Sequence, residues 1–323
     1  MRRFISTAVA VTVCFLGAGC GDDKTTASTT PPTTAGTSTA TTLAPSFPMT
    51  VGSGANAVTI KAKPEKIVSL SPTATEILFA IGAGKQVTAV DDQSNYPPEA
   101  PKSDLSGFKP NVEAIAKKNP DLVVIQFDTA NLAAGLKALN IPVLTQAPAQ
   151  TISDAYTQIE QLGAATGNIG GAAESVLRMK SRIDAATKTV KKPATPLRYY
   201  HEVDNTFYTA TSSTFIGEIY KLAGLVNIGD AADKDKSGYP QLSAEYIIQQ
   251  DPDIIFLADA KCCGETAQKV GARAGWSTLK AVKTGAIIPI DEDLASRWGP
   301  RTPDLFEAIV KSINALPATV GAK

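Results

Sequence analysis

From about residue 61 the chain alternates short β-branched runs with stretches of helical period. Ile67-Val68-Ser69-Leu70, Val87-Thr88-Ala89-Val90, Leu122-Val123-Val124-Ile125 and Pro142-Val143-Leu144 read as strands. Between them Thr73 to Ala83, Val112 to Asn119 and Asn131 to Leu139 read as helices. Strands separated by helices at this spacing predict an α/β domain with a mainly parallel sheet.

The same order returns later. Asn111-Val112-Glu113-Ala114-Ile115, closing on Asn119-Pro120-Asp121-Leu122-Val123, matches Ser243-Ala244-Glu245-Tyr246-Ile247, closing on Asp251-Pro252-Asp253-Ile254-Ile255. Upstream, Glu76-Ile77 and Gly82 match Glu218-Ile219 and Gly224; downstream, Leu136-Lys137-Ala138 matches Leu279-Lys280-Ala281. Three matches in one order at similar offsets indicate one α/β lobe used twice. Between the copies, Val176, Met179 and Ile183 recur at helical spacing. The expected fold is therefore α/β, with two parallel-sheet Rossmann-like lobes joined by a long helix. Residues 56–150 form the first lobe, 151–195 the connecting helices and 196–323 the second lobe.

The start of the chain follows different rules. Arg2 and Arg3 precede an apolar run from Phe4 to Leu16 that ends in Gly17-Ala18-Gly19-Cys20. This predicts a secretory signal over residues 1–19, the run being too short to span a bilayer. An ending on Cys looks like a bacterial lipobox, with Gly17 where Leu is usual, and implies lipid on Cys20. Residues 20–55 are rich in Thr, Ser, Ala and Pro and read as a disordered tether. The expected location is extracytoplasmic, on the outer face of the cell membrane.

Composition narrows the chemistry. The 323 residues carry 31 basic and 31 acidic side chains, and zero net charge argues against a nucleic-acid partner. His201 is the only histidine, so neither a His-based catalytic group nor a multi-histidine metal site is expected. Gly82-Ala83-Gly84-Lys85 lacks the spacing of a phosphate loop and follows a helix. The expectation is a binding protein, not an enzyme, with no catalytic residues, no metal and no cofactor.

Two such lobes create a cleft, and ligands of open α/β sheets bind beyond the carboxyl ends of the strands. The candidate segments are Ser71 to Thr73, Asp91 to Tyr96 and Gln126 to Asp128, with Glu202 to Tyr208, Asp259 to Cys263 and Asp291 to Trp298. Tyr208 and Tyr239 are either stacking platforms for a ligand or interface-core tyrosines. Asp293 and Arg297 are either a polar ligand clamp or a local ion pair. Cys262 and Cys263 are neighbours at the cleft edge and either a disulfide or two thiols. Glu113 and Glu245 recur at the second position of their helices. Both favour the helix dipole there, and the repeat makes them candidate docking carboxylates for a two-fold partner.

These residues resemble the class III solute-binding proteins of ABC importers for cobalamin and iron-siderophores. The resemblance rests on Pro64-Glu65-Lys66-Ile67-Val68-Ser69-Leu70-Ser71-Pro72, Tyr96-Pro97-Pro98-Glu99-Ala100, Asn111-Val112-Glu113, Ser243-Ala244-Glu245 and Arg297-Trp298-Gly299-Pro300-Arg301. It implies a shallow cleft, limited hinge motion and delivery of a small molecule to an ABC permease dimer with its ATPase. Tyr208, Tyr239, Asp293 and Arg297 fall where cobalamin binders contact their ligand. Gln93 stands where an aromatic is usual, and Gly107 or Phe108 where a Trp is usual. The implied ligand is a corrinoid, a siderophore or haem. The alternative is a surface sensing or adhesion module with this fold and no transporter.

Overall fold

The computed structural model describes residues 46–52, 54, 57–317 and 320. The predicted signal, Cys20 and most of the tether lie outside the described residues. After a small antiparallel hairpin, β1 (Met49–Val51) with β2 (Val58–Ile60), the first sheet holds β3 (Ile67–Leu70), β4 (Val87–Val90), β5 (Leu122–Ile125) and β6 (Val143–Thr145). The second holds β7 (Arg198–Glu202), β8 (Val226–Asn227), β9 (Ile254–Leu257) and β10 (Ile287–Pro289). Their spatial orders are β4-β3-β5-β6 and β8-β7-β9-β10, every pair parallel. The four strands of each copy thus take one order, with the second at the edge and the first beside the third. β3, β5 and β9 are buried along their whole length, which is why β5 and β9 read as unbroken apolar runs and β3 is interrupted only by the buried Ser69.

Local chemistry starts the helices. α1 (Pro72–Ala80) is capped by Ser71, whose hydroxyl accepts from the Ala74 N–H, and has Pro at its first position. α2 (Val112–Ala116) is capped by Asn111, and α3 (Leu132–Ala138) follows β5. In the second lobe α6 (Phe215–Leu222) is capped by Thr214 and α7 (Ala244–Gln250) by Ser243, and the short helices α8 (Ala260–Cys263), α9 (Ala267–Gly271), α10 (Lys280–Thr284) and α11 (Glu292–Ala295) follow.

The repeated Asn/Asp-Pro-Asp segment has a structural role that the pattern alone did not disclose. Asn119 and Asp251 both turn the chain through positive φ, at 48° and 45°. Each following Pro-Asp then pins the first strand of its own sheet. Asp121 accepts from the Glu65 and Lys66 N–H groups, at 2.9 and 3.0 Å, and Asp253 accepts from the Arg198 N–H at 2.9 Å. The repeat is a device for ending a helix and setting strand register in one step.

Two helices, α4 (Ile152–Thr166) and α5 (Ile169–Thr189), join the lobes and turn back on each other at Gly167, where φ is 73°. α5 is 21 residues long, about 31 Å at 1.5 Å per residue. Its buried stripe is divided between the lobes. Ala172, Val176 and Met179 join the first lobe's core, Ile183 and Ala186 the second's. α4 does the same in reverse, with Ile159, Leu162 and Ala165 on the first side and Ile152 and Ala155 on the second. A connector that contributes to both cores cannot bend without opening one of them.

A polar bridge closes the other side of the junction. Glu76 on α1 is 3% exposed. It accepts from Arg297 at 2.7 Å and from Arg301 at 2.5 and 2.8 Å, both arginines lying at the entry to α12 (Thr302–Ala315). Glu218, its counterpart on α6, instead accepts from the Ile152 N–H at 2.6 Å and so caps α4. Removing one partner of a buried pair leaves the other charge uncompensated, which costs about 3–5 kcal/mol. Glu76→Gln should therefore lower unfolding free energy by about 3 kcal/mol, measured by chemical denaturation; a loss below about 1 kcal/mol would show the bridge to be incidental.

The second lobe buries a further carboxyl cluster. Glu202, at the end of β7, is held bidentately by Arg273 at 2.6 Å for each bond, and Arg273 also reaches Glu265. Asp259 lies two residues beyond β9 with 0% exposure, and neither of its side-chain oxygens has a hydrogen-bond partner among the described residues. Burial and the nearby Glu202 push its carboxyl up to about 7. Because the folded value lies above the unfolded one, the stability it contributes is full below the ordinary Asp range and lost as pH rises through about 7. Asp259→Asn should raise stability above wild type by about 1–3 kcal/mol on the alkaline side, the gain shrinking towards acid pH. Parallel denaturation curves at all pH values would contradict this.

Candidate functional site

Carboxyl ends of strands from both sheets meet at one cleft, because parallel strands put all those ends on one side. Its enclosed part is a cavity of about 250 Å³ lined on the first lobe by Leu70, Asp91, Gln93, Phe108 and Phe127 among others, and on the second by Asp293, Ser296 and Arg297. This is below the ~300–1,000 Å³ usual for small-molecule sites, so a large ligand would rest mostly above it. A larger hollow, of about 640 Å³, lies between α5 and α12. It is open, has no aromatic lining and lies off the strand ends, and we do not assign it to ligand capture.

Four of the six candidate ligand residues, Gln93, Phe108, Asp293 and Arg297, line this one cavity. Tyr208 and Tyr239 do not. They occupy neighbouring segments of the second lobe's rim, where Tyr208 bridges to Gln241 and the Thr209 N–H donates to the Pro240 carbonyl. The open choice between Gly107 and Phe108 resolves physically. A Cβ at Gly107 would stand 2.8 Å from the Leu70 carbonyl oxygen and 2.9 Å from Asp91 Oδ2. No side chain fits there, and Phe108 is the one presented, 69% exposed.

The exposed large hydrophobic side chains sort by place. The aromatic ones are Tyr96, Phe108, Phe127, Tyr208 and Tyr239, and all lie on loops that leave carboxyl ends of strands. The aliphatic ones, Leu139, Ile169, Leu177 and Val226, lie elsewhere. Sequence reading included Tyr96 and Phe127 in its candidate segments without singling them out; only their exposure does so.

Arg297 is less free than a ligand clamp would be. It is 7% exposed and donates to Glu76, the Asn95 side chain, the Gln93 carbonyl and Asp293. Asp293 in α11 (Glu292–Ala295) also accepts from Asn95 at 3.0 Å and from Lys261 at 2.8 Å. Burial raises its carboxyl, but the bonds from Lys261 and Asn95 and the Arg297 charge outweigh this and hold it below the ordinary range. Arg301 lies over the Tyr96 ring, 4.1 Å from its centroid. Glu76 and Arg301 fall outside the candidate segments, and Asn95, inside Asp91 to Tyr96, is singled out only by its bonds to Arg297 and Asp293. Glu76 lies inside the repeated motif and Arg301 inside Arg-Trp-Gly-Pro-Arg, but sequence gives no sign that the two meet.

Lys261, Cys262 and Cys263 fall in α8 (Ala260–Cys263), directly after β9, and the two cysteines are bonded to each other. The Lys261 and Cys262 N–H groups both donate to Glu292 at 2.6 Å, tying this exposed turn to α11. His201 is elsewhere, 3% exposed within β7, its Nδ1 2.9 Å from the Tyr220 hydroxyl. Burial pushes its imidazole down to about 4, so it is a neutral core residue. Glu113 and Glu245 sit at the second positions of α2 and α7, both exposed. The backbone at Glu245 itself, then the Ser243 hydroxyl, hold the Glu245 carboxyl below the ordinary range.

Comparisons with known proteins agree with this geometry. The sequence profile described as periplasmic binding protein matches residues 67–294. An ABC transporter substrate-binding lipoprotein of Bacillus subtilis is 35% identical over 277 residues, covering 83% of this chain and 86% of the relative. A cobalamin-binding protein of Halobacterium salinarum is 32% identical, covering 85% of this chain and 75% of its own. Among solved structures, a possible iron-binding periplasmic solute-binding protein of Staphylococcus epidermidis superposes with a TM-score of 0.68 at 27% identity, covering 78% of this chain and 99% of that one. The vitamin B12-binding protein of Vibrio cholerae superposes with a TM-score of 0.64 at 24% identity, over 78% and 97%, a likeness of fold alone. With two lobes of one topology, a cleft at their strand ends and a profile match spanning both sheets, the chain belongs to the periplasmic binding protein family and is a binding protein, not an enzyme.

Proposed function

We propose that the protein captures a large metal chelate, a corrinoid, haem or ferric siderophore, outside the cell membrane and hands it to an ABC permease. The observation that carries this is the sorting of exposed aromatics. Phe108 and Phe127 line the cleft cavity beside polar groups such as Gln93, Gln126 and Asp293, and Tyr96, Tyr208 and Tyr239 stand exposed on other loops that leave strand ends of the two lobes. Flat, polarisable rings suit a ligand gripped by stacking, with a few hydrogen bonds to orient it. The relatives named for cobalamin and vitamin B12 support the corrinoid first; a structural neighbour named as haem-binding keeps haem in the set. Lipid on Cys20, with residues 20–55 as tether, would hold the folded part near the permease, in keeping with the lipoprotein name of the Bacillus relative. The surface sensing or adhesion reading has no specific observation in its favour.

Docking is assigned to Glu113 and Glu245. They occupy equivalent helix starts in the two copies, are exposed, and take part in none of the ion pairs among the described residues. A two-fold permease offers two equivalent surfaces, and Arg pairs with carboxylates bidentately.

Titration calorimetry with cyanocobalamin, haemin and a ferric hydroxamate tests the ligand class. One of the three should bind with a Kd in the micromolar range or tighter, about −8 kcal/mol. Phe108→Ala and Tyr208→Ala should each weaken it about 5–10-fold, a loss of roughly 1 kcal/mol of stacking. No heat with any of the three would refute the reading. Glu113→Arg with Glu245→Arg should abolish uptake of the bound probe while changing its Kd less than about twofold, because exposed first-turn acids contribute only about 0.3–1 kcal/mol to their helices. Wild-type uptake by the double variant would reduce both acids to good helix starts.

A further inference from the structure

Two cations meet at the floor of the cleft, and one carboxylate holds both. Asp293 lines the cavity. Its Oδ1 accepts from Arg297 Nη2 at 2.7 Å. Its Oδ2 accepts from Lys261 Nζ at 2.8 Å and from Asn95 Nδ2 at 3.0 Å. The three donors come from the helix turn that follows α11, from α8 and from the first lobe.

Arg297 has little left to offer a ligand. The two terminal nitrogens of a guanidinium carry four hydrogens. Nη1 donates to Glu76 and Asn95, and Nη2 donates to the Gln93 carbonyl and Asp293. All four are occupied, and the side chain is 7% exposed. Lys261 keeps free hydrogens on a side chain that is 62% exposed, but Asp293 cancels its charge. Arg301 is bonded twice to Glu76. Lys109, next to Phe108, is exposed and lies outside the cavity lining.

Acids outnumber the cations at this floor. Asp91, 3% exposed, lines the same cavity, accepts from the Ser94 hydroxyl and has no cation bonded to it among the described residues. Asp92 stands exposed beside it, and Glu292, next to Asp293, accepts from the Lys261 and Cys262 N–H groups. An anionic ligand edge lowered onto these groups meets carboxyl oxygens and no cation free to pair. It must bury its charge unmatched, or draw Lys261 and Arg297 away from Asp293 and leave that carboxylate unmatched instead; either course is costly away from water. Neutral ligand groups meet no such obstacle. Gln93, Gln126 and Ser296 line the cavity with two amides and a hydroxyl, which donate and accept without charge.

We propose that Asp293 is a specificity-determining residue that sets the charge of the ligand: by neutralising Lys261 and Arg297 it leaves the floor without a free cation, so that the protein takes a chelate edged with amide, hydroxamate or hydroxyl groups and rejects one edged with carboxylates. Part of this selection is repulsive, which is how a site rejects a wrong ligand of the right size. The inference rests on the ligand class proposed above and narrows it by charge. Haem, with its propionates, falls on the rejected side; an amide-edged corrinoid and a neutral ferric hydroxamate fall on the accepted side.

Titration calorimetry with probes matched in shape and different in charge tests this. The pairs are cyanocobalamin and its derivative with ring amides hydrolysed to carboxylates, haemin diamide and haemin, and a neutral ferric trihydroxamate and its carboxylate-bearing derivative. In whichever pair binds, wild type should prefer the uncharged member at least about tenfold, because like charges set against each other suppress the wrong partner. Asp293→Asn should remove most of that preference by releasing Lys261 and part of Arg297. Adding Lys261→Ala to Asp293→Asn should restore much of it, which a merely loosened turn would not do. Equal or tighter binding of the anionic member by wild type overturns the proposal, leaves the ligand class intact and depends on no variant. An unchanged preference in Asp293→Asn, with the variant folded by circular dichroism, overturns the assignment to Asp293. If no member of any pair binds wild type, the ligand class is wrong and the charge selection falls with it.

Discussion

The carboxylate of Glu76 is the constraint on which the junction depends. It is almost wholly buried, and two arginines from the other lobe supply three bonds to it. A carboxylate so placed is tolerable only while both guanidiniums stay in position, since a buried charge without partners costs several kcal/mol. That requirement fixes the turn between α11 and α12 against α1. It thereby fixes Asp293, Arg297 and Asn95 at the base of the cleft. Movement of one lobe against the other would first have to break this bridge, and it would also have to disturb the two helices whose buried stripes are shared between both cores. A cleft that changes shape little is the physical consequence.

The two copies of the lobe use a shared inheritance differently. Glu76 and Glu218 occupy matching helices. One accepts from two arginines across the junction and the other accepts from a backbone N–H to start the connector. Both solutions satisfy a buried or half-buried carboxylate at the place where the lobes join, so both tie the copies together. Elsewhere the copies keep the same solution. Asp121 and Asp253 share the bond that anchors the first strand, from the Lys66 and Arg198 N–H groups, and Asn111 and Ser243 cap the helices that present Glu113 and Glu245. The symmetry is strict where strand register demands it and relaxed where the two sheets meet.

Fold was readable in the chain for a local reason. Apolar runs such as Leu122-Val123-Val124-Ile125 and Ile254-Ile255-Phe256-Leu257 can only be strands covered on both faces, and the repeat supplied the second lobe once the first was recognised. The site was readable only as a set of segments. Strand ends are local features, so segments holding Gln93, Asp293 and Arg297 could be named in advance, Phe108 came only from the family resemblance, and the four share one cavity. What sequence could not give is pairing across long separation. Glu76 and Arg301 are 225 positions apart, and nothing in either neighbourhood announces the other. Arg297 illustrates the limit well. Its type and place both suited a ligand contact, but its bonds are largely committed to holding the lobes together. Conversely, Gly107 could be assigned its role only once the Leu70 carbonyl and Asp91 were seen beneath it.

The division of labour in the cleft follows from this commitment of charge. The cations near the floor are already matched by the protein: Arg297 by Glu76 and Asp293, Lys261 by Asp293, Arg301 by Glu76. A ligand arriving there meets dipoles and rings in place of free cations. Such a surface binds by area and by a few oriented hydrogen bonds, and its affinity should depend weakly on salt, because matched pairs leave little net field to screen. The exposed acids at α2 and α7 are the opposite case. They join no ion pair among the described residues, lie in water and are open to screening, which would suit a transient contact that must form and release repeatedly. On the proposed reading, ligand retention and partner docking would be separated not only in space but in the kind of force each uses, so that one could be strong while the other stays reversible.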